Sequence, residues 1–136
     1  CINEILEDTL LSFYNIFKEK NIIPQVNISN KKLYKKVDKL SIVRVFENIL
    51  SNVSKYSNGD FKVEMNDNGI ITFSNRANSL DATSVQKIFD RYFSVENAKE
   101  STGIGLSIAK QLLELNNGEI SAEYVKKTLF IIIKFR

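Results

Sequence analysis

The sequence predicts an α+β domain, a mixed sheet of about five strands with three main helices on one face. Three observations carry that expectation. Apolar residues recur at helical spacing in three separate stretches. Short alternating segments lie between and after those stretches. The 136 residues contain no linker, internal repeat or low-complexity tract, so residues 1–136 read as one domain.

The first helix is marked by Ile2, Ile5, Leu6, Leu10, Phe13, Ile16 and Phe17, and ends near Glu19-Lys20-Asn21, before Pro24. Val26 and Ile28 alternate with polar neighbours, as do Leu33 and Val37, and both pairs predict short strands. Asp38 is placed to cap a second helix over 39–56, which Ser57-Asn58-Gly59 stops. Phe61, Val63 and Met65 alternate, Asn66-Asp67-Asn68-Gly69 turns, and Ile71 and Phe73 alternate again, which is a hairpin pattern. A short helical turn is expected around Ala82 to Ile88, and a polar surface loop from Asp90 to Thr102. Ile104 to Leu115 is the third helix, ended by Asn117-Gly118. Ile120, Ala122 and Tyr124 form a strand, and Leu129 to Phe135 a final, strongly apolar one.

Composition excludes several chemistries. There is no histidine and a single cysteine, so a disulfide scaffold, a histidine-ligated zinc site and a Ser-His-Asp or Cys-His nucleophile are all impossible. A formal charge of +3 argues for no nucleic acid as a partner, and no membrane contact by this chain is expected. The densest basic cluster, Lys31-Lys32-Leu33-Tyr34-Lys35-Lys36, is interrupted by apolar positions and reads as the solvated face of a short strand or turn. The chain has neither a long apolar span nor a secretory pattern, and its start at Cys1 rather than methionine predicts a piece of something longer. A lone thiol fits a reducing, cytoplasmic setting.

The second helix carries the most informative spacing. Ile42, Phe46, Ile49, Leu50 and Val53 share one apolar arc of about 100°. Asn48, Asn52, Lys55 and Tyr56, at i, i+4, i+7 and i+8, share the adjoining one. Carboxamide oxygens are hard donors for Mg²⁺, and lysine meets phosphate as a point charge. On spacing alone, an ordinary solvated helix flank is the simpler reading. A second feature, Ser101-Thr102-Gly103-Ile104-Gly105-Leu106-Ser107, stands where a polar loop enters a helix, and free N–H groups there suit phosphate. A lone GxG is weak, and a hinge before a helix explains it equally well.

Together the two features are specific. Asn48-Ile-Leu-Ser-Asn52-Val-Ser-Lys55-Tyr56-Ser57 closely resembles the N box of sensor histidine kinases. Phe89-Asp90-Arg91-Tyr92-Phe93 resembles their F box, and Thr102 to Ser107 their second glycine box, in the same order and at matching separations. The chain is thus similar to the catalytic, ATP-binding domain of that family, whose fold is the two-layer α/β sandwich called the Bergerat fold. The resemblance implies ATP and Mg²⁺ as cofactors, with the metal on Asn52 and Asn48. It implies that Lys55 contacts phosphate, that Tyr56 packs on adenine, and that Phe89 anchors the start of a lid. Thr102, Gly103, Ile104, Gly105 and Leu106 would close over the triphosphate, and Lys99 stands where relatives often carry a lid arginine. Asn48 and Lys55 are the residues expected to serve transfer itself.

The sequence departs from the family at the adenine site. Asn75 occupies the position of the usual aspartate, and Ala77 and Ser79 replace two glycines. A neutral acceptor predicts that adenine selectivity survives at lower affinity. Hydrolytic members of the superfamily carry a glutamate four residues before the metal-binding asparagine. Here Asn48 stands there, and Glu47 points about 100° away. The resemblance therefore implies transfer of the γ-phosphate to a histidine on a separate segment, the dimerisation hairpin of a parent kinase that hands phosphate to a response regulator. The parent would be membrane-anchored, and this piece, lacking the hairpin, monomeric. Two alternatives stand beside that reading: a protein-serine kinase of the anti-sigma type, and a degenerate nucleotide-binding or scaffolding domain without catalysis.

Overall fold

The computed structural model describes residues 1–57, 59–78, 88–89 and 105–136. Its helices are α1 (Ile2–Ser12), α2 (Tyr14–Glu19), α3 (Lys39–Tyr56) and α4 (Gly105–Leu115). Its strands are β1 (Gln25–Ile28), β2 (Lys62–Met65), β3 (Ile71–Arg76), β4 (Gly118–Val125) and β5 (Thr128–Phe135). The strands form one five-stranded sheet in the order β1-β2-β3-β5-β4. Among the described strands, β1 and β2 are the one parallel pair. The expected α+β architecture and mixed sheet are both present. The helical turn expected over 82–88 and the loop over 90–102 lie almost wholly outside the described residues.

The sheet presents one apolar face to the helices. Val63 pairs with Phe73, Phe73 with Ile131, and Ile131 with Ala122, so period-two alternation carries a hydrophobic row across four strands. Against that row α3 buries Ile42, Phe46, Ile49, Leu50 and Val53, the arc expected from its sequence, together with Val45. From α4 come Leu106, Ala109 and Leu113, and from α1 Ile2, Ile5 and Leu6. The opposite face of the sheet is largely polar, with Lys62, Glu64, Ser121 and Glu123 exposed.

Three local expectations are corrected. The first helix is broken at Phe13, whose φ/ψ of −95°/0° turns its N–H back to the Leu10 carbonyl. The break lets Phe17 stack on both Phe13 and Phe61, with ring centroids 5.8 and 5.3 Å away. Leu33 and Val37 belong to no strand. The backbone that a ladder needs is taken by α1, since Leu33 N–H donates to Asn3 Oδ1 (2.9 Å) and Ile2 N–H donates to the Leu33 carbonyl (2.9 Å). Buried Asn3 also donates to the Ser29 and Lys31 carbonyls. Third, Asp38 stands at the N-cap of α3 without capping a backbone N–H. Its carboxylate accepts the Ser41 hydroxyl at 2.6 Å.

Turn chemistry fixes the hairpins. Gly69 has φ +81°, so glycine is favoured by conformation, and a Cβ there would meet Leu33 Cδ2 at 2.7 Å unless that side chain shifted. After α4 the left-handed residue is Asn117 (φ +61°) rather than Gly118, and Gly118 is needed because a Cβ would meet the Leu113 side chain at 2.7 Å. The β4–β5 turn places Lys126 (φ +50°) and Lys127 (φ +62°) in left-handed geometry that normally favours Asn-Gly. Lys127→Gly is expected to relieve roughly 1–2 kcal/mol of strain against roughly 0.5–1 kcal/mol of added chain entropy. The net gain of about 0.5–1 kcal/mol raises Tm by a few degrees, as urea unfolding and calorimetry will show.

The two long helices run antiparallel. They pack side by side, and the end of α4 meets the start of α3, where Asn116 Oδ1 accepts the Asp38 N–H at 2.8 Å. The same Asn116 donates to the Leu112 carbonyl, which closes the last turn of α4. The C-terminal end of α3, the start of α4 and the end of β3 therefore share one pole of the molecule. The start of α3, the end of α4 and residues 29–38 share the other.

Candidate active site

Asn48, Asn52 and Lys55 lie in the last three turns of α3, on the flank beside its buried stripe, and α3 ends at Tyr56, whose side chain lies outside the described ones. Asn48 and Asn52 are half-buried and Lys55 is exposed. Among the described residues, Asn48 Nδ2 is the one fully buried side-chain polar atom without a hydrogen-bond partner. Leaving such a group unpaired costs about 1–3 kcal/mol, a cost a ligand oxygen would remove. Glu47, next to it, is exposed and directed away from this flank. No three of His, Cys, Asp or Glu converge among the described residues. A divalent cation here would take carboxamide oxygen together with oxygens of its own ligand.

β3 brings Asn75 to the same pole. Phe73 packs on Phe46 of α3, with ring centroids 6.1 Å apart, and Asn75 lies two residues further along the same face. It is 4% exposed, and its Nδ2 donates to the Arg76 carbonyl at 3.1 Å. Beyond it, Ala77 N–H donates to the Lys127 carbonyl (2.9 Å) and the Tyr124 hydroxyl donates to the Ala77 carbonyl (2.8 Å). These bonds hold the chain that leaves Asn75 against the β4–β5 hairpin. On the outer side, Arg76 pairs with Asp60 at 3.3 Å, and its N–H donates to the Gly59 carbonyl. This support of Asn75 by Tyr124, Lys127 and Asp60 was missed in the sequence. Only a tyrosine on the inward face of β4 hinted at it.

Gly105 opens α4 and Leu106 is buried behind it. Among the described residues, a Cβ on Gly105 would meet nothing within 4 Å. Phe89 is half-buried against the core, with Lys110 Nζ of α4 6.0 Å from its ring centroid. The structure therefore gathers Asn48, Asn52, Lys55, Asn75 and Gly105 at one pole and sets Leu106 and Phe89 behind them. Lys99, Thr102, Gly103 and Ile104, and with them Arg91, lie outside the described residues.

Comparison with known proteins gives the family and the fold. The family described as histidine kinase-, DNA gyrase B-, and HSP90-like ATPase matches residues 37–136. Sensor protein VanSC of Enterococcus gallinarum is 28% identical over 138 aligned positions, covering 96% of this chain and 38% of that protein. Sensor protein kinase WalK of Staphylococcus aureus is 32% identical over 111, covering 74% of this chain and 27% of that one. The chain thus spans well under half the length of either relative. Among solved structures, the catalytic domain of histidine kinase ThkA superposes with a TM-score of 0.81 at 22% identity, covering 96% of this chain and 90% of that one. Full-length ShkA in complex with AMPPNP gives a TM-score of 0.77 at 17% identity, covering 98% and 29%. The two-layer sandwich is accordingly the Bergerat fold.

Proposed function

The chain belongs to the histidine kinase-, DNA gyrase B- and HSP90-like ATPase family, and we propose that it is the ATP-binding catalytic domain of a sensor histidine kinase. It holds ATP with Mg²⁺ and delivers the γ-phosphate to a histidine on another segment, since it contains none. The observation that carries this reading is the orphaned, buried Asn48 Nδ2 at the pole where the N-box flank, Asn75 and Gly105 converge. When bound, Mg²⁺ supplies charge neutralisation of the phosphates. Asn52 offers it a carboxamide oxygen. Asn48 offers an oxygen to the metal or its unpaired N–H to a phosphate oxygen. Lys55 meets phosphate from the rim, and Tyr56 packs on the base.

The chain's own residues favour transfer over hydrolysis. Asn48 stands where a hydrolytic member carries its general base, and a carboxamide takes no proton. Glu47, the adjacent carboxylate, is exposed on another side of α3. The same geometry disfavours a serine kinase, whose hydroxyl acceptor needs a proton acceptor at the metal helix. A neutral histidine arrives ready to attack, so positioning suffices. The partners on this reading are the histidine-bearing hairpin of the parent kinase and, downstream, a response regulator. Calorimetric titration with Mg·ATP, followed by transfer to an added histidine-bearing helical hairpin, tests it. Absence of binding at millimolar nucleotide overturns it, and binding without transfer leaves a nucleotide-binding scaffold.

Two substitutions sharpen the test. Gly105→Val adds atoms that meet no described residue and is expected to fold normally, with stability within about 1 kcal/mol of the parent. Nucleotide affinity and transfer fall, because the side chain occupies the room left for phosphate. Normal transfer by that variant would reduce Gly105 to a hinge. Asn75→Asp replaces a neutral acceptor by a charged one, for a gain of roughly 1 kcal/mol in adenine binding, or about fivefold in Kd. Competition between ATP and GTP reads it, and an unchanged preference removes Asn75 from the base site.

A further inference from the structure

The pole opposite the nucleotide site carries a second surface that the proposed kinase chemistry does not use. Lys31, Lys32, Lys35, Lys36 and Lys39 fall within nine residues and all are exposed. Residues 29–38 form no strand. Asn3 and Ile2 of α1 clamp them at Ser29, Lys31 and Leu33, and Leu33 and Val37 turn inward. The lysines therefore stand out along a tethered ridge. None forms an ion pair among the described residues, and Lys35 Nζ donates to the Arg136 carbonyl. The acids at this pole do not pair with the ridge among the described residues: Asp38 accepts the Ser41 hydroxyl, Asp67 the Ser29 hydroxyl, Glu119 pairs with Arg136, and exposed Glu4 and Glu114 form no ion pair with these lysines. Three large apolar side chains are exposed at this pole, Tyr34 at 68%, Leu40 at 78% and Leu115 at 80%. Leu40 and Leu115 flank the Asp38–Asn116 contact.

We infer that this pole docks on the surface of an anionic lipid bilayer. The occupant follows from the chemistry. All five cations are lysines, point charges without the planar fork that arginine offers a protein carboxylate, and exposed Tyr34 and Leu40 lie among and beside them. Ammonium groups at the phosphate level, tyrosine among the headgroups and leucine just below them is the arrangement of a peripheral membrane face. The proposal rests on local distribution rather than on the small net charge, and so departs from the expectation of no membrane contact. In this orientation α3, 18 residues or about 27 Å long, directs the nucleotide pole away from the lipid.

Co-flotation of the chain with vesicles tests the assignment, independently of any nucleotide chemistry. Binding to phosphatidylcholine mixed with phosphatidylglycerol is expected, with none to phosphatidylcholine alone and steep loss at high salt. Each lysine near such a surface contributes roughly fivefold in affinity, so Lys32→Ala, Lys35→Ala and Lys36→Ala together weaken binding on the order of 100-fold. Tyr34→Ser with Leu40→Ser weakens it further at fixed charge, and both variants keep the parent's Mg·ATP titration. Absence of binding to the anionic vesicles, or binding that the lysine variant does not reduce, overturns the inference. Tight binding of soluble polyglutamate without vesicle partition overturns it too, and reassigns the ridge to an acidic protein.

Discussion

Asn52→Ala is expected to abolish the Mg²⁺ dependence of ATP binding while leaving the fold intact. Asn52 is half-buried on the flank of α3, outside its core stripe, so truncation opens no core cavity. Alanine also has higher helix propensity than asparagine, by roughly half a kcal/mol, so α3 and Tm hold or improve slightly. Loss of a direct ligand should exceed the effect of losing an outer-shell partner, which is roughly 10–100-fold in metal affinity. Titrations with Mg·ATP and with ATP in chelator should then converge in the variant, having differed by about 100-fold in the parent. Phosphotransfer falls at least in parallel. A variant that keeps the parent's Mg²⁺ dependence would take Asn52 out of the metal site while leaving ATP binding to the fold.

Phe46→Ala is expected to be the most damaging single change to stability. Phe46 is fully buried, packs on Phe73 with ring centroids 6.1 Å apart, and is the point where α3 is keyed to the central strand. Deleting the ring removes apolar burial and leaves a cavity, together about 3–5 kcal/mol. Against a total stability of about 5–15 kcal/mol, that is a large share, and Tm drops by roughly 10–20 °C. The contact also sets the height of Asn48 and Asn52 relative to Asn75, so ATP affinity falls below the unfolding transition as well. Glu47→Ala, one residue away and exposed, is the matched control, with an expected change within about 0.5 kcal/mol. Similar urea midpoints for the two variants would refute this account of the core.

Legibility followed the range of the forces involved. The apolar arc of α3, its bounds at Lys39 and Tyr56 and the four strands of the antiparallel part could be read because periodicity is a local record of burial. The family could be read because the N-box flank and the glycines around the start of α4 have residue types and spacing that the family shares. Residues 33–37 were misread because their alternation is real but their backbone partners lie some thirty residues away, on Asn3 and Ile2. The break at Phe13 was missed because helical spacing continues through it, and the aromatic contacts with Phe17 and Phe61 impose it from outside. Asn116, which joins α3 to α4, looked like a helix stop and nothing more. Tyr124 and Lys127, which hold the chain after Asn75, act through long-range hydrogen bonds that leave no periodic trace.

The antiparallel pairing of α3 and α4 has an electrostatic consequence. A helix carries about half an elementary charge at each end, positive at its N-terminus and negative at its C-terminus. Because the two helices run in opposite directions, the nucleotide pole receives the negative end of α3 and the positive end of α4 side by side. The backbone alone thus sorts opposite charges there, a cation toward the Asn52 end of α3 and an anion toward Gly105. Lys55, the basic residue in the last turn of α3, softens its negative end, where the proposed function would bring phosphate. On the proposed reading, a metal–triphosphate ion pair laid across these two helix ends would find each of its charges met by the opposite one.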